Sequence, residues 1–244
     1  MINQFLKTAL TMMLLLAVVA ANAGNNFDKP VKKAIRVLLV GGGSSHDFDK
    51  WYKGTDVETL QKDGFATVEY TSDPTTILPK LKDIDVLLLA NNQPIADDAT
   101  RKAIFAFADA GKGLVLAHPA LWYNWKDWPE YNQKLVGGGS KGHDKYGPFD
   151  VKITKKHPVT KNVPETFHLD DELYYQIPDE SGSPIEVLAT AKAATSDKVF
   201  PSIFIVKYPK GRIVGIALGH DAASHTIAPY QTILRNAVQW ASGQ

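Results

Sequence analysis

Three apolar runs in this chain each break abruptly beside a histidine, and that repeated event limits the folds open to it. Ala34–Val40 passes through Gly41-Gly-Gly-Ser-Ser45 to His46, Gly113–Ala117 runs straight into His118, and Arg212–Leu218 passes through Gly219 to His220. Short continuous apolar runs are the signature of parallel strands buried on both faces. In open α/β sheets, ligands sit outside the carboxyl ends of such strands. Histidines at three of those ends would converge on one pocket from distant parts of the chain. Imidazole is the side chain best suited to moving protons or holding a metal near neutral pH.

Between these runs the pattern alternates between strand and helix. Helical segments are expected over Val57–Asp63, Leu78–Leu81, Asp97–Ala110, Gln133–Val136 and Pro229–Ala241. Strands are expected over Ala66–Tyr70, Val86–Ala90, Phe149–Ile153, Ile185–Ala191 and Ser202–Tyr208. Strand and helix in this rhythm mean βαβ units and a parallel sheet covered by helices on both faces. Tyr208-Pro-Lys-Gly-Arg212 reads as a hairpin turn.

Residues 1–23 have the features of a secretory leader: Lys7, an apolar stretch Ala9–Ala20, and the small-residue signal Ala21-Asn22-Ala23. They are expected to be cleaved, giving a periplasmic or secreted protein with a polar arm over 24–33 and a single domain over 34–244. The apolar stretch is short for a membrane span, so no membrane span is expected after cleavage. The 27 Lys+Arg nearly balance the 26 Asp+Glu, which disfavours nucleic acid and anionic membrane as partners. With no cysteine in its 244 residues, the chain has no disulfide, thiol nucleophile or Cys-ligated zinc.

Two motif matches fail on context. Gly41-Gly-Gly-Ser-Ser-His46 stands where a dinucleotide fingerprint would, but His46 occupies the last glycine position. Gly138-Gly-Ser-Lys-Gly142 has the letters of a hydrolase elbow, but a helix-like segment precedes it and a strand follows, the reverse of what that motif requires. Gly137 and its neighbours read instead as a helix stop and loop. Asp170-Asp171-Glu172 supplies three carboxylates ahead of Tyr174, and Asp221 follows His220. Such acids either serve as proton carriers beside imidazoles or form a solvated loop. Trp122, Trp125 and Trp128 fall just after His118 and suit either a sugar-stacking platform or a small core beneath a loop. No H-x-x-x-H or H-E-x-x-H spacing occurs, so any metal would be held by residues distant in sequence.

Taken in order, several pieces resemble the ThuA-like, or trehalose-utilisation, family. They are the glycine loop with His46-Asp47, the strand into His118, Leu135-Val-Gly-Gly138 ahead of His143, and His157-Pro-Val-Thr160. Asp171-Glu-Leu-Tyr174 and Gly219-His-Asp221 with a closing helix through Trp240-Ala241 complete the set. The resemblance implies a three-layer flavodoxin-like fold of the class I glutamine amidotransferase type, with a mostly parallel sheet. Its relatives' glutaminase chemistry needs a cysteine that this chain lacks, and Pro119 stands where many family members carry serine.

The resemblance also implies a sugar-linked role, and a small-molecule carbohydrate is the expected partner. The reaction expected is acid/base chemistry (isomerisation, elimination or cleavage) on a keto-sugar or disaccharide derivative. His118, His220, Glu172 and Asp221 are the candidate catalytic groups. His46, Asp47, His143, Trp122, Trp125 and Tyr174 are the candidate substrate contacts. His46, His118 and His220 are candidate ligands if a divalent metal is used; the sequence requires no cofactor. A non-catalytic carbohydrate-binding module and a metal-dependent small-molecule hydrolase are the competing readings.

Overall fold

The computed structural model describes residues 33–193 and 197–244; the leader and nearly all of the polar arm lie outside the described residues. Four βα-type passes build the first half of the sheet. The strands are β1 (Ile35–Val40), β2 (Ala66–Thr71), β3 (Val86–Leu89) and β4 (Gly113–Ala117). Between them lie the π-helical turns Asp49–Asp56 with α1 (Val57–Gln61), then α2 (Ile77–Lys80) and α3 (Asp98–Asp109). The Asp97 carboxylate caps α3 by accepting from Thr100 N–H at 2.8 Å, as a residue at that position should.

The second half contains more strands than the sequence pattern gave. These are β5 (Gly138–His143), β6 (Gly147–Ile153), β7 (Thr166–Asp171), β8 (Tyr174–Pro178), β9 (Ile185–Lys192), β10 (Val199–Val206) and β11 (Arg212–Ile216). The chain ends with α4 (Ala222–His225) and α5 (Ala228–Ser242). Gly138–Gly142 therefore lies in a strand rather than a loop. Gly137 does stop the preceding helical turn, with φ of 69°.

Nine strands form one sheet in the order β2-β1-β3-β4-β11-β10-β9-β6-β7, and β5 pairs with β8 apart from it. The strands β2, β1, β3, β4 and β11 are mutually parallel. The pairings β11–β10, β10–β9, β9–β6 and β6–β7 are antiparallel, so only β10 and β6 run against the rest. The sheet is thus mostly parallel in direction, and β10 and β11 make the expected hairpin.

Alternate residues of the strands feed two cores. Val37 and Leu39 face one core with Leu60, Tyr230, Ile233, Leu234 and Val238, whereas Leu38 and Val40 face the other with Ile77, Ile104 and Phe107. Helices therefore cover both faces, giving three layers. Ile233, Leu234 and Val238 have no exposed surface, and each such side chain contributes about 1.5–3 kcal/mol by leaving water. Among the described residues no helix is long and apolar enough to cross a membrane.

Candidate active site at the carboxyl edge of the sheet

The strands β1, β4 and β11 all end on one edge of the sheet, and their histidines meet there. The ring centroids of His46 and His118 are 5.1 Å apart, those of His46 and His220 4.8 Å, and those of His118 and His220 5.8 Å. Glu172 joins them from the far end of the sheet. Its Oε2 lies 3.7 Å from His118 Nε2 and 3.2 Å from His220 Nδ1. The sheet extension from β10 to β7 curls enough for the end of β7 to reach the end of β11: Asp171 accepts from Gly219 N–H at 2.8 Å.

Each imidazole is fixed from behind. His118 Nδ1 donates to the Ala217 carbonyl at 2.8 Å, and His46 Nδ1 to the Ser44 carbonyl at 3.1 Å. Because a carbonyl can only accept, the proton of each neutral ring is on Nδ1 and Nε2 points inward as a bare lone pair. Both Nε2 atoms, and His220 Nδ1, are buried without a hydrogen-bond partner. Such atoms are costly to leave unpaired. Burial, followed by the neighbouring His118, pushes His46 down to about 3, so its ring is neutral at physiological pH. Contact with the Glu172 carboxylate raises His220. Burial opposes ionisation of Glu172, but the imidazoles of His118 and His220 outweigh it and hold the carboxyl below its ordinary value.

The backbone at these strand ends is specialised. His118 adopts φ of 25°, a strained value for a non-glycine residue at a sharp strand-to-helix turn, of the kind that displays reactive side chains. Gly43, at φ of 129°, has no room for a Cβ because the Asn92 amide fills that space. Asn92 accepts from Ser44 N–H at 2.8 Å and donates to Ser44 O at 2.9 Å. This clamp holds the carbonyl that orients His46.

Asp171 is the main residue the sequence reading did not single out. Fully buried, its carboxylate accepts from Gly219 N–H, His220 N–H at 3.2 Å, Glu172 N–H at 2.7 Å and the Ser224 hydroxyl. It thereby ties the loop carrying His220 to the residue carrying the site carboxylate. Behind Gly219 lies a second buried group. His225 bonds Asp56 through Nδ1 at 2.7 Å and the Gly219 carbonyl through Nε2 at 3.0 Å. Tyr230 donates to Asp56 at 3.1 Å, and Tyr52 to the Gly219 carbonyl at 2.6 Å. Burial works against charge on His225, but the Asp56 carboxylate prevails and holds the ring above its ordinary value.

Of the other expected site residues, three remain at the cluster and three do not. The Tyr174 ring stacks on His118 at 4.0 Å between centroids. His143 Nδ1 is 3.8 Å from Glu172 Oε1 and donates to the Asp144 carbonyl at 2.7 Å. Trp122 contacts His143 and Tyr174 at ring distances of 5.7 and 5.2 Å. Trp125, by contrast, is only 2% exposed and packs edge-on against Tyr131, with its indole N–H donated to Gln93 O at 3.1 Å. It belongs to the core and offers no stacking face. Asp221 is the cap of α4, accepting from Ala223 N–H and from Tyr146 OH, each at 2.9 Å. Asp47 is exposed and accepts from Lys50 N–H at 3.1 Å, closing the first turn after His46. Both acids complete backbone turns, the ordinary work of aspartate there.

The ligand atoms of His46, His118, Glu172 and His220 all lie within 4.8 Å of one another. Donors about 2.1 Å from one ion sit roughly 3.4 Å apart in a tetrahedron and about 4.2 Å apart when opposed in an octahedron. A small inward closure would satisfy either geometry. Orphaned inward nitrogens whose rings are held from behind by carbonyls are the outer-shell arrangement typical of metal-binding histidines. The donor set therefore fits a divalent first-row ion.

Fold and site together define a cysteine-free, three-layer α/β protein of the glutamine amidotransferase-like class, with a histidine–carboxylate cluster at its strand ends. Residues 17–241 match the family model ThuA, described as trehalose utilisation, and the chain belongs to that family. A ThuA-like protein from Parabacteroides merdae shares 21% identity over 86% of this chain and 90% of its own, with a TM-score of 0.76. One from Bacteroides uniformis shares 22% over 88% and 95%, with a TM-score of 0.71. The carbohydrate deacetylase Agd3 superposes at 14% identity with a TM-score of 0.60, covering 86% of this chain but only 32% of that one. Glutamine amidotransferase-type structures also share the fold. A comparison with curated proteins returned no match.

Proposed function

We propose that this protein is a divalent-metal-dependent enzyme of carbohydrate metabolism that moves a proton beside a carbonyl of an oxidised sugar, leading to isomerisation, elimination or cleavage. The observation that carries the reading is the convergence of three buried imidazole nitrogens, none with a hydrogen-bond partner, on one carboxylate. The family's description, trehalose utilisation, supports a sugar as substrate.

His46, His118, His220 and Glu172 would hold the ion. A bound divalent ion supplies Lewis acidity, stabilising negative charge on a substrate oxygen as the neighbouring carbon loses its proton. The chain's own groups do the rest. With Nδ1–H given to Asp144, neutral His143 presents Nε2 as an acceptor, and it is the unligated imidazole closest to the cluster. It is the proton carrier in this reading, a role that imidazole performs well near neutrality. Burial pushes the Tyr174 hydroxyl well up, so it stays protonated and available as a donor to a sugar oxygen. Trp122 and Tyr174 form an apolar wall against which a ring can lie and from which water is displaced. Burial of Trp125 halves the aromatic platform that a non-catalytic binding module would need, which weighs against that alternative.

Export through a leader over residues 1–23 belongs to the same proposal, and the N-terminus of the exported protein should then be Gly24. The function is tested by assaying metal-replete protein, chelated protein and His118→Ala against keto-glycosides and acetylated sugars. Turnover of a keto-glycoside that is lost on chelation and in His118→Ala is the expected result. Full turnover after complete metal removal would refute the metal-dependent reading, and ester cleavage alone would point to the hydrolase.

A further inference from the structure

Trp122 borders two spaces. One edge of its surroundings is the cluster, through His143 and Tyr174. It also lines a separate concavity of about 340 Å³ together with Tyr123, Gln133, Lys141 and Asp179. Lys141 Nζ stands 4.3 Å from the Tyr123 ring centroid, so the ammonium and the aromatic face hold each other in place. The strand β5 ties the two spaces together, because Lys141 and His143 are both exposed and two residues apart along it. Side chains at that spacing share a face and lie about 7 Å apart.

We infer that this concavity is a second sugar subsite, holding the ring beyond the glycosidic bond while the reacting ring lies at the histidine cluster. The inference rests on the carbohydrate reading above and narrows it: the substrate is a two-ring glycoside rather than a free monosaccharide. Three observations carry it. The volume lies at the small end of ligand sites, a scale suited to one ring rather than a large cofactor. Its wall combines two half-exposed aromatic faces with an ammonium and a carboxylate. A sugar ring needs that mixture, with flat apolar contact for its C–H face and a donor and acceptor for its hydroxyls. The shared indole makes the two spaces adjacent, so one ligand can occupy both.

Calorimetry tests this without requiring turnover. Trehalose and cellobiose are titrated into the full protein, with methyl α- and β-glucoside as the one-ring probes, and then into Tyr123→Ala and Lys141→Ala. The expected result is at least a fivefold preference for one of the disaccharides over its methyl glucoside, falling below twofold in both variants. Lys141 is exposed, so its variant serves as a test in which folding is not at stake. No preference in the wild type, or a preference that survives both substitutions, overturns the inference. Failure of the catalytic reading appears separately, as metal-independent turnover or none, and leaves the affinity ratio as an independent readout.

Discussion

Asp171→Asn is the most informative single change outside the cluster. The wild-type carboxylate takes two donors on each oxygen: Gly219 N–H and the Ser224 hydroxyl on Oδ2, and His220 N–H and Glu172 N–H on Oδ1. An amide must turn its NH₂ towards one of those pairs, losing two hydrogen bonds and opposing donor to donor. Hydrogen bonds to a charged group are worth about 1.5–3 kcal/mol each, so the loss is roughly 3–6 kcal/mol. Against a total stability of about 5–15 kcal/mol, that is a large fraction. Urea denaturation should show the midpoint falling with the slope unchanged. Because the released loop carries His220, affinity for a divalent ion should fall with stability. A variant within about 1 kcal/mol of wild type, with normal metal affinity, would refute the view that Asp171 holds the loop in place.

Other perturbations separate structural from chemical roles. His225→Ala strands Asp56 in the core with only Tyr230 as a neutral partner, and breaking a buried pair in this way costs about 3–5 kcal/mol, readable as a lowered melting temperature. Trp125→Phe should cost stability through the lost bond to Gln93 and leave sugar affinity alone, whereas Trp122→Ala should weaken it. Hydrogen bonds from Arg36 hold Asp85 down at about 2. With a folded value below the unfolded one, the stability this pair adds is fully present above pH 4 and fades as pH falls towards 2. Asp85→Asn should therefore lose up to about 1 kcal/mol at pH 7, given how exposed the pair is. It should converge with wild type near pH 2.

The three histidines were legible because the rule for ligands at parallel strand ends acts on short, local patterns. Asp171 was not, although a signal was present. Along β7, Phe167, Leu169 and Asp171 are the buried residues and their neighbours are exposed, so a carboxylate occupies the inward phase of an alternating strand. A reading that seeks apolar alternation stops at Leu169 and sees an acidic loop. The strand β5 was hidden for a related reason: Gly138–His143 contains four residues of glycine or serine and no apolar alternation to mark it. The His225–Asp56 bond joins residues 169 apart in sequence, and nothing local announces it. Asp47 and Asp221 misled because an aspartate beside a histidine looks the same in sequence whether it caps a turn or carries a proton. Trp122 and Trp125 differ only in which way the chain turns after His118.

The central claim is that four side chains, from four separate places in the sequence, form one ion-binding centre. Its most direct test is elemental analysis with anomalous diffraction on crystals of protein purified without chelator. The account predicts one divalent transition ion per chain, coordinated by Nε2 of His46, Nε2 of His118, Nδ1 of His220 and Glu172, and absent from His118→Ala. A fully folded wild-type protein that takes up no ion at that position, even when crystals are soaked with zinc or manganese, would contradict it.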